Sequence, residues 1–310
     1  DLLVTDHPRD RRHVLKTGLD AGDDVAEVVH PPAASLDKAK ATLTVRDHLM
    51  DVPVPVPYGS AFEGEVVRKA DLRVEFGGKK SRCFEYLYMA PMDKVEDGKV
   101  TVIGPDLDSL PEGGSMDMGI VAEVAGRKMQ EDFEPILERQ IHHLINYAQG
   151  VMHIGQRDIA WVRVGKGAVD KGFRLSHLGK ILHAKFHQDF GAIFDKVQVK
   201  VYTEVKAVDE ILAKARENYR KRDARIEGMT DETTDTFYSC TLCQSFAPNH
   251  VCVISPERTG LCGAYNWMDC KASYEINPTG PNQPVAKGET IDAKLGQWKG
   301  VNEFVVKASR

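Results

Sequence analysis

The sequence predicts an α+β (mixed α/β) fold in two parts, and three observations carry that expectation. Short β-rich segments follow one another between residues 62 and 126, with apolar and polar residues alternating. Amphipathic helices and further strands then take turns up to about residue 226. After a polar linker the chain becomes loop-rich, and five of its six cysteines crowd into residues 239–270. A length of 310 residues suggests two domains rather than one. We expect a leading segment or upstream remnant at 1–34 and a middle α+β domain at 35–228. A partial, loop-rich α+β cluster-binding domain is expected at 229–310.

Composition narrows the class. With 42% hydrophobic and 28% charged residues, a sizeable core is available. Forty-one Lys+Arg against 46 Asp+Glu leave a net charge of −5, which gives no overall footprint for nucleic acid. No apolar run approaches the length of a membrane span. The opening DLLVTDHPRDRR has no signal core and no initiator Met, so the chain is expected to be cytoplasmic and a fragment. Without an export signal, clustered cysteines point to metal rather than to disulfides.

The elements follow in order. His30-Pro31-Pro32 closes the polar leader, because no helix crosses that pair. Ser35 is a candidate N-cap, with Leu36, Ala39, Leu43 and Leu49 as the apolar positions of a helix. Pro53, Pro55 and Pro57 then mark an extended connector. Strands are expected at 62–69, 71–76, 83–90, 99–104 and 119–126, with Gly77-Gly78 as a hairpin turn. Cys83, on an alternating strand, reads as a small core residue. Met129, Phe133, Ile136, Leu137, Ile141, Leu144, Ile145 and Ala148 form one apolar stripe, so 127–148 reads as a single helix. Then come a strand at 159–165, a helix capped by Ser176, a strand at 196–203 and a helix at 208–226. Beyond Asn277 only one short strand is expected, at 304–307.

Three groups of residues could carry chemistry. His183 and His187, at i and i+4, can share a metal, but the residues between them lack the acidic group of a zinc protease, and surface histidines are the alternative. Adjacent His142 and His143 are not expected to face one side. Arg157, Arg163, Lys166, Lys171, Arg174, Lys180 and Lys185 fall close together around Trp161. Such a patch can hold a phosphorylated ligand, and a solvated face is the plainer reading. Cys240, Cys243, Cys252 and Cys262 stand at C-x2-C-x8-C-x9-C on backbone broken by Pro and Gly, where free N–H groups can reach sulfur. A zinc ribbon's second C-x2-C and a ferredoxin's cysteine run are both absent. The spacing favours one [4Fe–4S] cluster and leaves zinc open.

The stretch FYSCTLCQSFAPNHVC, with PERTGLCG and YNWMDC after it, closely resembles the metal-cluster segment of acetyl-CoA synthase. PVPVPYGSAFEGEVVRK, QGVMHIGQRDIAW and ILHAKFHQDFG look like the middle domain of that family, so the resemblance covers nearly all the chain after His30. It implies that Cys240, Cys243, Cys252 and Cys262 hold a [4Fe–4S] cluster and that Cys243 bridges to a proximal nickel. Phe246 would shape the small-ligand site beside it. Trp161, Arg157, Arg163 and Lys166 would lie on the coenzyme A route. The implied reaction belongs to carbon fixation: a methyl group from a corrinoid iron–sulfur protein and CO join as an acetyl, which coenzyme A removes. A carbon monoxide dehydrogenase subunit is the implied partner. The family's Cys-Gly-Cys motif for a distal nickel is absent from these 310 residues. The chain is therefore expected to build the iron–sulfur half of the site and to be inactive alone. A non-catalytic iron–sulfur or zinc scaffold is the alternative.

Overall fold

The computed structural model describes residues 51–56, 66–245 and 247–309. The expectations for the leader, for the helix after Ser35 and for Phe246 fall outside those residues. The described part of the proline connector, 51–56, is irregular rather than extended, with a bend at Pro53-Val54 and Asp51 at φ 48°, and it buries Val54 and Val56 in the main core.

Two mixed four-stranded sheets build the middle of the chain. The strands in order are β1 (Leu72–Gly77), β2 (Cys83–Met89), β3 (Val100–Ile103), β4 (Gly114–Met116) and β5 (Met118–Ala125). They continue with β6 (Val151–Ile154), β7 (Trp161–Gly165) and β8 (Lys196–Tyr202). One sheet has the order β4-β1-β7-β6, the other β2-β5-β8-β3. Helices α1 (Glu134–Glu138), α2 (Gln140–Ile145), α3 (Lys166–Asp170), α4 (Leu175–Phe190) and α5 (Val205–Ala224) connect and cover them.

Alternation along the strands explains the layering. Val74, Phe76, Val162 and Val164 of the first sheet share one core with Leu87, Ile120, Ala122, Val197, Val199 and Val201 of the second. Leu178, Ile181, Leu182 and Phe186 of α4 close that core. The opposite face of the second sheet carries Phe84, Tyr86 and Val121, which pack on Val208, Leu212 and Ala215 of α5. Covered on both sides, β5 is buried along its whole length. Each such apolar side chain contributes roughly 1.5–3 kcal/mol. Cys83 is buried in the main core, as its strand position suggested.

Several local expectations are corrected. Gly77 and Gly78 turn at φ 81° and 73°, but the strands they join enter different sheets, so there is no hairpin. A side chain at Gly77 would meet the Ala160 carbonyl at 2.3 Å, which reserves the position for glycine. Residues 66–68 are irregular and a 3-10 turn covers Lys69–Asp71, so the described end of the expected strand at 62–69 is not one. The single helix at 127–148 is instead a 3-10 turn followed by α1 and α2. Asp195 accepts the Arg127 N–H at 2.8 Å and holds that end out of helix, while Pro135 sits in the first turn of α1. Helix α4 begins at Leu175, ahead of Ser176; His177 Nδ1 accepts the Arg174 N–H at 2.8 Å and Asp106 accepts the Leu175 N–H at 3.1 Å. Strand β6 was not foreseen.

The cysteine-bearing part adds β9 (Thr236–Cys240), β10 (Cys252–Ile254), β11 (Pro284–Ala286), β12 (Thr290–Asp292) and β13 (Gln297–Trp298). It also adds α6 (Trp267–Ile276) and α7 (Val301–Ala308). Strand β9 lies between β10 and β11. Its two faces feed separate cores: Phe237 meets Val285, Trp298 and Val301, while Tyr238 and Cys240 meet Ile254 and Cys270. The strand expected at 304–307 is helix α7. Gly300, at φ 86°, starts the helix, and the Glu303 carboxylate accepts its N–H. The β-branched pair Val305-Val306 misled the strand expectation, because tertiary packing outweighs such propensity.

Candidate metal centre

Strand register brings two of the candidate cysteines together. Cys240 ends β9 and Cys252 begins β10, directly opposite it in the antiparallel pairing. Cys243 lies on the 3-10 turn Leu242–Ser245, half-buried, and Cys262 is exposed on the loop leading to α6. That loop turns at Gly263 (φ 69°). A Cβ at Gly260 would stand 3.6 Å from the Cys262 sulfur and 3.3 Å from Ile254, so glycine leaves the sulfur uncrowded.

Polar hydrogens converge on these sulfurs. The Ala264 N–H donates to Cys262 Sγ at 3.4 Å, and His250 Nε2 lies 3.3 Å from Cys252 Sγ. Burial pushes the Cys240 thiol up, opposed by hydrogen bonds from the Leu242 N–H and the Asn282 amide; the nearby Cys252 and Cys262 push it further up. N–H donors of this kind stabilise sulfur-bound clusters and tune their potential. Among the described residues no three of the four sulfurs gather within 4.8 Å. Four thiolates around one zinc, at about 2.3 Å each, would stand roughly 3.8 Å apart. The four thiols, with N–H donors beside them, fit a sulfur-ligated metal group.

Cys270 plays another part. It is fully buried on α6, accepts from Asn282 Nδ2 at 3.3 Å, and burial pushes its thiol far up, so it stays protonated at neutral pH. Asn282, also buried, donates to the Ser239 carbonyl at 3.1 Å and accepts from the Ser273 hydroxyl at 2.7 Å. Below the cysteines, Arg139 donates to Asp269 at 2.9 Å and lies 4.5 Å over the Tyr265 ring. Asp269 and Asn266 cap α6 reciprocally. Sequence reasoning missed Asn282, Tyr265 and Arg139. Only the Asn266/Asp269 capping pattern was available to flag the start of α6.

The basic residues are largely committed to acidic partners. The Arg163 guanidinium lies 4.3 Å over Trp161 and bonds Glu75 at 2.7 Å and the Val67 carbonyl at 3.2 Å. Arg157 turns toward α5, bonding Asp223 at 2.9 Å and lying 5.2 Å over Tyr219. Lys166 pairs with Glu112 and, with Lys171, borders an open cavity of about 300 Å³. His142 and His143 turn toward each other, ring centroids 3.9 Å apart, contrary to the expectation for adjacent residues.

Comparison with known proteins identifies the family. A family model for the CO dehydrogenase/acetyl-CoA synthase complex beta subunit matches residues 54–208. A second, for the C-terminal part of the ACS/CODH beta chain, matches 219–310. The carbon monoxide dehydrogenase/acetyl-CoA synthase subunit alpha of Moorella thermoacetica is 54% identical over 83% of this chain and 35% of its own length. The acetyl-CoA decarbonylase/synthase complex subunit beta of Methanopyrus kandleri is 45% identical over 84% of this chain and 56% of its own. That of Methanothermobacter thermautotrophicus is 44% identical, over 83% and 55%. The chain thus spans about a third to just over half the length of these relatives. Among the described residues no helix is long and apolar enough to cross a membrane. Matched along both its sheet-bearing middle and its cysteine segment, the chain belongs to the beta-subunit family of the CO dehydrogenase/acetyl-CoA synthase complex.

Proposed function

We propose that this chain is the middle and cluster-binding part of an acetyl-CoA synthase, an acyltransferase acting on a methyl group, CO and coenzyme A. The two-part division near residue 228 belongs to this reading. Cys240, Cys243, Cys252 and Cys262 would hold a [4Fe–4S] cluster, and the observation that carries this is the facing Cys240–Cys252 pair, with the Leu242 N–H and the Asn282 amide on Cys240 and His250 Nε2 beside Cys252. Cys243, half-buried on its short turn, would be the ligand that links the cluster to a proximal nickel. When bound, the cluster and nickel supply the soft, redox-active centre at which carbon–carbon bond formation takes place. The chain's own residues position and shield that centre. Tyr265, Ile254 and Cys270 close its inner side, and Phe246 is assigned to the small-ligand side. The methyl donor is a corrinoid iron–sulfur protein, and a carbon monoxide dehydrogenase subunit is the partner. These 310 residues carry no Cys-Gly-Cys, so they hold no distal nickel by that motif.

Metal and sulfide analysis of the anaerobically reconstituted chain, with EPR of the reduced form, tests the reading. About four irons and four sulfides per chain are expected for one cubane. One zinc without sulfide overturns it and leaves a scaffold module. Coenzyme A is assigned to Trp161, Arg157, Arg163 and Lys166. Replacing Lys166 by Ala frees Glu112 and removes a cation beside the open cavity. Coenzyme A binding is expected to weaken several-fold, as for one charge-assisted phosphate contact; an unchanged dissociation constant by calorimetry removes Lys166 from the site.

A further inference from the structure

A second group of metal-ligand side chains lies on elements that carry none of the four cluster cysteines. His183 and His187 stand one turn apart on α4, and their Nε2 atoms converge on one oxygen, Asp97 Oδ1, at 3.1 and 2.8 Å. Asp97 belongs to the loop between β2 and β3. The same Oδ1 accepts the Val197 N–H of β8 at 2.9 Å. The three ligand atoms lie within 4.8 Å of one another.

As a hydrogen-bond cluster the arrangement is over-subscribed. A carboxylate oxygen offers two lone-pair directions, and three donors aim at this one. Both imidazoles would also need their proton on Nε2. An ion between them removes the conflict, because each Nε2 then presents a lone pair. Donors bonded to one ion at about 2.0–2.1 Å stand roughly 2.8–3.4 Å apart for angles between 90° and tetrahedral. The two Asp–His separations match that spacing.

The surroundings leave room for an ion. The imidazole rings are not stacked: they meet at 70° with centroids 4.6 Å apart. Gly98, at φ 77°, would place a Cβ 3.6 Å from His183 Nε2, so its lack of a side chain keeps the approach open. All three ligands are partly exposed, which leaves a coordination position for water. The neighbouring ammonium groups are engaged elsewhere. Lys99 pairs with Glu96 at 2.7 Å, Lys200 with Glu123 at 2.6 Å, and Lys196 donates to the Met92 carbonyl at 3.0 Å.

We propose that Asp97, His183 and His187 form a binding site for a divalent transition ion of the zinc class, separate from the cysteine centre. Two imidazoles and one carboxylate suit zinc, nickel or cobalt. The ion pins the loop before β3 to α4 and β8, three segments that come together only in the folded sheet.

Cobalt(II) distinguishes this site from the cysteines, because thiolate-bound cobalt shows a sulfur charge-transfer band and nitrogen- or oxygen-bound cobalt does not. In an anaerobic titration of the whole chain, one equivalent is expected to bind without that band, and one equivalent of zinc is expected to displace it. His187→Ala is expected to weaken this equivalent at least tenfold, as is Asp97→Asn, which keeps an acceptor for the Val197 N–H. The sulfur band is expected to stay the same in both variants. Cobalt binding through sulfur alone in the parent chain overturns the proposal. So does cobalt binding of unchanged affinity and spectrum in both variants.

Discussion

Arg139, at the junction of α1 and α2, donates from Nη2 to Asp269 Oδ2 at 2.9 Å, and both side chains are about nine-tenths buried. This pair seats helix α6, and with it the cysteine loops, on the sheet-bearing part of the chain. Removing one partner of a buried pair strands the other charge.

Arg139→Ala is therefore expected to destabilise the chain by about 3–5 kcal/mol. Replacing both residues by apolar ones of similar volume, Arg139→Met with Asp269→Leu, should recover much of that loss, less the helix cap that Asp269 supplies. Denaturant midpoints of the single and double variants check this. A single variant as stable as the parent would show that the pair does not seat α6.

The two classes of cysteine should separate cleanly. Cys262→Ser is expected to lower the iron content of the reconstituted chain, because an exposed loop sulfur has no substitute nearby. Cys270→Ala should leave iron unchanged and alter only stability, since that thiol is buried and held protonated. Iron and sulfide counts decide. Iron lost from both variants alike would put Cys270 among the ligands.

Asn282 is the amide that reaches both the Ser239 carbonyl and the cysteine sulfurs. Asn282→Leu is expected to cost about 1–3 kcal/mol, because buried acceptors lose their donor. The potential of a bound cluster should also fall. Hydrogen bonds to sulfur favour the more negative, reduced form, and removing one favours the oxidised form. An EPR-monitored redox titration reads the shift, and a potential that rises contradicts the assigned donor role.

A buried pair predicts a pH signature. His153 Nε2 lies 2.8 Å from Glu85 Oε1, both fully buried. Burial, and then the charge of Glu138, push the Glu85 carboxyl well above 4.5; burial lowers His153 from 6.5 to about 3. Glu85 keeps its proton when folded, so its contribution is complete below 4.5 and is lost as pH rises. His153 runs the opposite way, its contribution complete above 6.5 and lost as pH falls toward 3. Glu85→Gln removes only the first effect. The variant should gain on the parent by up to about 1.4 kcal/mol per pH unit above 4.5. Parallel stability curves for the two proteins would rule out a protonated Glu85.

Much of the fold was legible because it rests on local periodicity. The strands at β1, β2, β3, β5, β7 and β8 and the helices α4 and α5 follow alternation and 3.6-residue stripes. What misled lay where neighbours overrule propensity. Gly77-Gly78 signalled a turn, and only the sheet order shows that it leads out of one sheet into the other. The run Phe304-Val305-Val306 favours a strand, yet Gly300 and Glu303 start a helix there. The stripe at 129–148 marked burial correctly but not the break at Pro135 and Arg139.

By itself, the sequence determined the donor set of the cysteine loops, their spacing, and the faces that helices and strands bury. These are properties of residues close together along the chain. Only the tertiary structure decided that Cys252 faces Cys240, that Asn282 reaches the sulfurs of Cys240 and Cys270 and that Arg139 holds α6. It likewise brought Asp97 to His183 and His187, and gave Arg163 and Lys166 their carboxylates. Those partners stand tens of residues apart, and their meeting depends on sheet order and register, which local pattern does not encode.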